Sequence, residues 1–132
     1  MRAIPVGTKG SYTMTVSRKD LAGTMEPSLP PVLATCMMSL MMELAAMDAM
    51  RPYMEPGEMS VGIVVNVQHL AATPDGHKVT AYAEVTRCDG RRVEFNVRAV
   101  DEMDEIGTGT HSRAVVERAK FDERLKRKIK QA

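Results

Sequence analysis

Hydrophobic and polar positions change period several times along this chain. In GSYTMTVS, Tyr12, Met14 and Val16 alternate with Ser11, Thr13 and Thr15, the pattern of a half-buried strand. EPSLPPVL carries three prolines and reads as an extended lead-in. In ATCMMSLMMELAAMDAMRP polar interruptions nearly vanish, which predicts a helix that begins around Val32 to Thr35 and stops at Arg51, before Pro52. Three period-two runs follow, SVGIVVNVQHLAAT, HKVTAYAEVTRC and RRVEFNVRAVDEM, joined by PDG and CDGR. Those joints have hairpin-turn chemistry, so the runs predict an antiparallel meander. GTGTHSRAVVERA reads as a fifth strand centred on Val115 and Val116, and KFDERLKRKIKQ as a charged helical tail.

A helix that is apolar on nearly every side must be covered on most of them. The simplest cover is the sheet itself, wrapped around the helix, which gives an α+β fold with a long central helix inside an antiparallel five-stranded sheet. The 132 residues suit a single domain over 1–132, with the charged tail at about 120–132.

Charge and cysteine content narrow the function. With 18 basic and 17 acidic residues the net charge is +1, too small for the positive field of a nucleic-acid binder, so no nucleic acid is expected. The start MRAIPVGTKGSY lacks a signal-peptide pattern, and no apolar run approaches the roughly 20 residues of a membrane span. A soluble, cytoplasmic protein with no membrane association is therefore expected. Cys36 and Cys88 lie far apart without a C-x-x-C, so they read as free thiols, with no metal site and no cofactor implied.

Glu43 is out of place in the apolar helix. Burying a carboxylate costs several kcal/mol unless it is paired or protonated. A structural explanation puts it on a narrow solvent stripe with Ser39 and Met50, but Met47 and Met50 make that stripe poorly polar. A functional carboxylate fits better. On the second strand Val61, Ile63, Val65 and Val67 share one face by alternation, and His69 continues that parity unless a bulge intervenes. His69 is either a hydrogen-bonded residue of the sheet rim or faces the helix as the acid/base partner of Glu43. Thr35 is either a helix N-cap or a hydroxyl placed to act as, or orient, a nucleophile where helix N–H groups stabilise an oxyanion. Cys36 competes for that role, although a cysteine among methionines is more often a small hydrophobe.

ATC, MMELAAMDAMRPYMEPGEMSVG, NVQHLAATPDG and DEIGTGTHSRAVV together resemble the fluoroacetyl-CoA thioesterase-like family of hotdog-fold proteins, over about Pro31 to Phe121. The resemblance implies a hotdog fold, a homodimer or higher homo-oligomer with active sites near the subunit interface, and hydrolysis of an acyl-CoA substrate. It places the family's catalytic threonine, glutamate and histidine on Thr35, Glu43 and His69. A glycine whose backbone lies near the substrate carbonyl falls on Gly62. Cys36 adjoins that site, and the match extends over His111 and Arg113, which would orient the last strand or touch the CoA phosphates.

The family's fluoroacetyl-selective site is closed by a pair of phenylalanines before the helix. Here that stretch is TMEPSLPPVL, and the chain's two phenylalanines are Phe95 and Phe121. Six of twelve methionines lie on the central helix, at Met37, Met38, Met41, Met42, Met47 and Met50, and such side chains adapt to varied apolar shapes. A short to medium acyl group is expected. The alternatives are a non-catalytic acyl-CoA or acyl-carrier binding module and a hotdog 3-hydroxyacyl thioester dehydratase.

Overall fold

Strand β1 (Lys9–Thr15) leads through a short helical turn, α1 (Ala22–Met25), into the long helix α2 (Thr35–Met50). Four strands follow, β2 (Glu58–His69), β3 (Lys78–Asp89), β4 (Arg92–Val100) and β5 (Glu105–Glu117), then helix α3 (Arg118–Gln131). The computed structural model describes residues 1–131. Among them no helix is long and apolar enough to cross a membrane.

Helix α2 lies against the concave face of one five-stranded antiparallel sheet, the hotdog arrangement. Met38, Met41, Met42, Ala45, Ala46, Ala49 and Met50 of α2 are buried. They meet the inward rows of β3 (Val79, Ala81, Ala83, Val85) and β4 (Val93, Phe95, Val97, Ala99). Small residues on both sides let helix and sheet approach closely. The approach is tightest at Gly10, where an added Cβ would stand 2.2 Å from the Ala45 carbonyl oxygen and 2.4 Å from the Ala49 nitrogen.

Strand order corrects the expected meander. The sheet runs β1-β3-β4-β5-β2, so only β3, β4 and β5 are joined as consecutive neighbours. CDGR does make a hairpin, with Asp89 opposite Arg92 and Gly90 at φ +59°. The PDG turn also forms, with Gly76 at φ +87°, but it joins strands that do not pair. It is tied to the end of β1 instead: Gly76 N–H donates to the Val16 carbonyl, and Val16 N–H to the His77 carbonyl. Turn chemistry reports a local reversal, whereas strand pairing depends on which edge the chain reaches next.

Strand β2 therefore sits at an edge, paired with β5 alone. A bulge at Ile63 shifts its register between Gly62, opposite Arg113, and Val64, opposite Ser112. The bulge overturns the expected single face of Val61, Ile63, Val65 and Val67. Facing residues of an antiparallel pair point the same way, so Gly62 looks toward α2 with Arg113, and past the bulge Val65, Val67 and His69 do so, while Val61 points away.

Candidate active site

Ala34, with extended backbone, occupies the N-cap of α2 and makes no side-chain cap bond, so Thr35 is the first helical residue and the cap alternative falls. Its hydroxyl is free for another partner and lies 2.8 Å from His69 Nδ1. The N–H groups of Thr35 and Cys36, in the first turn, have no intrahelical acceptor. His69 closes β2 opposite Gly107. A Cβ on Gly107 would reach 2.5 Å from Met38 Sδ, so β5 beside His69 runs close under the start of α2. Desolvation pushes the His69 pKa below its ordinary value of 6.5, partly offset by the Ala71 backbone. Burial thus favours the neutral imidazole, whose Nδ1 accepts from the Thr35 hydroxyl in the Nε2–H tautomer.

Thr35 and His69 line a cleft of about 570 Å³. Its walls are mostly apolar: Met25 from α1, Leu29, Val32 and Leu33 from the lead-in, and Leu70 and Ala71 after β2. Cys36 also lines it, with Sγ 3.6 Å from Met25 Sδ. No phenylalanine contributes, since Phe95 is buried in the core and Phe121 lies on α3.

Glu43 sits eight residues further along α2, about 12 Å up the helix axis at 1.5 Å per residue. Its Oε1 accepts from Arg113 Nη1 at 2.9 Å, with the Arg113 side chain 6% exposed and that of Glu43 28% exposed. The stripe does not run as the structural explanation has it, because Met50 is buried; the exposed positions of α2 are Thr35, Cys36, Leu40 and Met47, with Ser39 and Glu43 half-buried. Gly62 lies beneath the carboxylate, where a Cβ would come within 2.6 Å of Glu43 Oε1. Arg113 also donates from Nε to Ser60 Oγ at 2.9 Å and from Nη2 to the Ser60 carbonyl at 3.1 Å. Its guanidinium is thus committed inside the protomer to Glu43 and Ser60.

A model of the fluoroacetyl-CoA-specific thioesterase family matches residues 16–119. The chain belongs to this family. A curated fluoroacetyl-CoA thioesterase from Streptantibioticus cattleyicolor is 48% identical over 99 residues, 75% of this chain and 71% of that protein. A solved structure of a fluoroacetyl-CoA thioesterase superposes with a TM-score of 0.89 at 40% identity, covering 94% of this chain and 96% of the other. A thioesterase superfamily member from Thermus thermophilus gives 0.90 at 33% identity, covering 99% and 96%. The protein is accordingly a thioester hydrolase acting on acyl-CoA, built on the hotdog fold.

Within this thioesterase the structure brings Thr35, His69 and Cys36 to one cleft and sets Glu43, Gly62 and Arg113 in a second cluster two helical turns away. Sequence reasoning missed Ser60, Met25 and Leu70. Ser60 was accessible in principle, since it shares the strand parity of Gly62. The cleft walls were not, because they meet only when the lead-in folds over the end of β2.

Proposed function

We propose that this thioesterase hydrolyses short to medium acyl-CoA thioesters at the Thr35–His69 cleft, working as a homodimer. The observation that carries the reading is the 2.8 Å contact between the Thr35 hydroxyl and His69 Nδ1 in the lining of an apolar cleft, where burial lowers the imidazole pKa. His69 takes a proton from Thr35, or from a water held there, and the oxygen attacks the thioester carbonyl. First-turn N–H groups of α2 stabilise the oxyanion, donors worth about 2.7–4 kcal/mol each where measured. Collapse of the tetrahedral intermediate breaks the C–S bond, and the CoA sulfur leaves with the proton from His69. An intervening threonyl ester is then hydrolysed by water. Thiol release from a panel of acyl-CoAs, followed with a thiol reagent and with 3-hydroxyacyl substrates checked for alkene formation, tests the reading.

The dimer supplies the missing carboxylate. The free edge of β2 leaves Ile63 46%, Val64 42% and Val65 44% exposed, and Leu40 and Met47 are open on α2. An unpaired apolar edge strand is a template for pairing. Isologous antiparallel pairing of two β2 strands about an axis between Val65 and Asn66 would set Gly62, and the Glu43 above it, opposite His69 of the partner subunit. Light scattering at micromolar concentration is expected to give twice the mass of the chain, and Ile63→Glu with Val65→Glu to give the monomer with turnover lost. A monomeric, active wild type would rule this out.

The lowered pKa of His69 fixes the sign of the pH dependence. The base works when unprotonated, so kcat/KM should hold steady through neutral pH and fall only as pH drops through a midpoint below 6.5. An acid limb centred above 6.5 would mean that desolvation does not set the protonation of His69 in the working enzyme.

Selectivity follows from the walls. A small substituent in an apolar pocket is discriminated by only about 1–3 kcal/mol unless the site is shaped and gated. Met25 and Leu29 are flexible and exposed, and offer no rigid aromatic wall. Acetyl-, fluoroacetyl-, butyryl- and hexanoyl-CoA are expected to show comparable kcat/KM, and a preference of more than about a hundredfold for fluoroacetyl over acetyl would refute the absence of a gate.

A further inference from the structure

The cluster at Glu43 contains more than an ion pair requires. Arg113 Nη1, besides serving Glu43, lies 3.3 Å from His111 Nε2. The other ring nitrogen of His111, Nδ1, is 2.7 Å from the carbonyl oxygen of Val64, the first residue past the bulged Ile63. A carbonyl only accepts, so Nδ1 carries the proton and Nε2 presents a lone pair to the guanidinium. The ring is buried and stacked on Phe95, with centroids 5.9 Å apart and planes at 24°. A protonated imidazole here would place a second cation against Arg113. Burial and the Arg113 charge lower the His111 pKa, and the Val64 carbonyl and Glu43 oppose the shift.

We propose that His111 is a positioning residue for Glu43. Held in one tautomer by the Val64 carbonyl, it accepts from Arg113 and, with Ser60 on the opposite side of the guanidinium, fixes the Nη1 that holds Glu43 Oε1 over Gly62. The β-bulge gains a purpose: it sets the carbonyl that selects the tautomer. Gly62 completes the arrangement, because a Cβ there would lie 2.6 Å from Glu43 Oε1 and 3.5 Å from Arg113 Nη1. The effect on turnover rests on Glu43 being the carboxylate of the proposed site, whereas the hydrogen-bond chain itself does not.

Two substitutions separate positioning from packing. His111→Phe keeps a stacked ring and removes both polar atoms, and His111→Gln keeps one donor and one acceptor. Misplacement of a reacting group by about 1 Å can cost about a hundredfold in rate. We expect His111→Phe to lower kcat by about tenfold to a hundredfold with KM changed less than about twofold, and His111→Gln to stay within about threefold of wild type. Nitrogen-15 NMR of the imidazole should show the Nδ1–H tautomer at neutral pH. The Arg113 side-chain protons should exchange slowly in the wild type and His111→Gln, and rapidly in His111→Phe. Equal loss of kcat in both variants, an undiminished rate in His111→Phe, or an Nε2–H or protonated ring would overturn the proposal. Should the wild type cleave no acyl-CoA, the proposed function fails, and the NMR exchange pattern alone decides the role of His111.

Discussion

His69→Ala is expected to lower thioester turnover by about 10²–10⁴-fold, the range typical of a lost general base, while the protein stays folded. The side chain stands at a strand end against an open cleft, so its removal leaves little packing to lose. Thr35 then keeps its hydroxyl and loses the acceptor 2.8 Å away. Glu43→Gln should fall in the same range for another reason. Glutamine preserves an acceptor for Arg113 Nη1 and removes the charge, so the test reads chemistry more than structure. Glu43→Ala is the poorer choice, because stripping the partner from a buried guanidinium is itself destabilising. Cys36→Ala serves as the control and should leave the rate unchanged. The measurement is kcat/KM for one acyl-CoA in all variants, with circular dichroism for the fold. A near wild-type rate in His69→Ala or Glu43→Gln would remove that residue from the mechanism. Loss confined to Cys36→Ala, with Thr35→Ala active, would move the nucleophile to the thiol.

Gly10→Ala is expected to cost about 3 kcal/mol, the upper range for forcing extra volume into a packed site. For a chain of this size that lowers the melting temperature by about 10 °C. The added Cβ meets backbone atoms of α2, the Ala45 oxygen and the Ala49 nitrogen, which cannot move aside as a side-chain end could. Relief would require shifting β1 or the helix that carries Thr35 and Glu43. Gly90→Ala is the comparison: its φ of +59° disfavours a side chain, but nothing lies within 4 Å of the added carbon. It should cost about 1–2 kcal/mol, from backbone strain alone. Thermal and urea denaturation measure both. If Gly10→Ala melted no lower than Gly90→Ala, helix and sheet would not be pressed together at that point.

Local pattern determined much of this protein. The apolar run from Thr35 to Met50 had to be a covered helix, the period-two runs had to be strands, and a carboxylate at Glu43 had to have a partner or a task. Each conclusion depends only on neighbours within a turn or a pleat, where spacing and chemistry are enough. The family resemblance joined Thr35 to Glu43 and His69, where local pattern alone left it open between a cap and a reactive hydroxyl. The tertiary structure decided what joins distant segments. It sent β2 to the far edge, beside β5, because a turn's residues encode a reversal and not a destination. It inserted the bulge at Ile63, one extra residue that the alternating pattern of valines conceals, and this bulge brings Gly62 and His69 to the same face. It gave Glu43 its partner in Arg113, 70 positions away, and gave Thr35 its partner in His69, 34 away. Such pairings depend on strand register and on how the helix crosses the sheet, and both are settled only when the whole core packs.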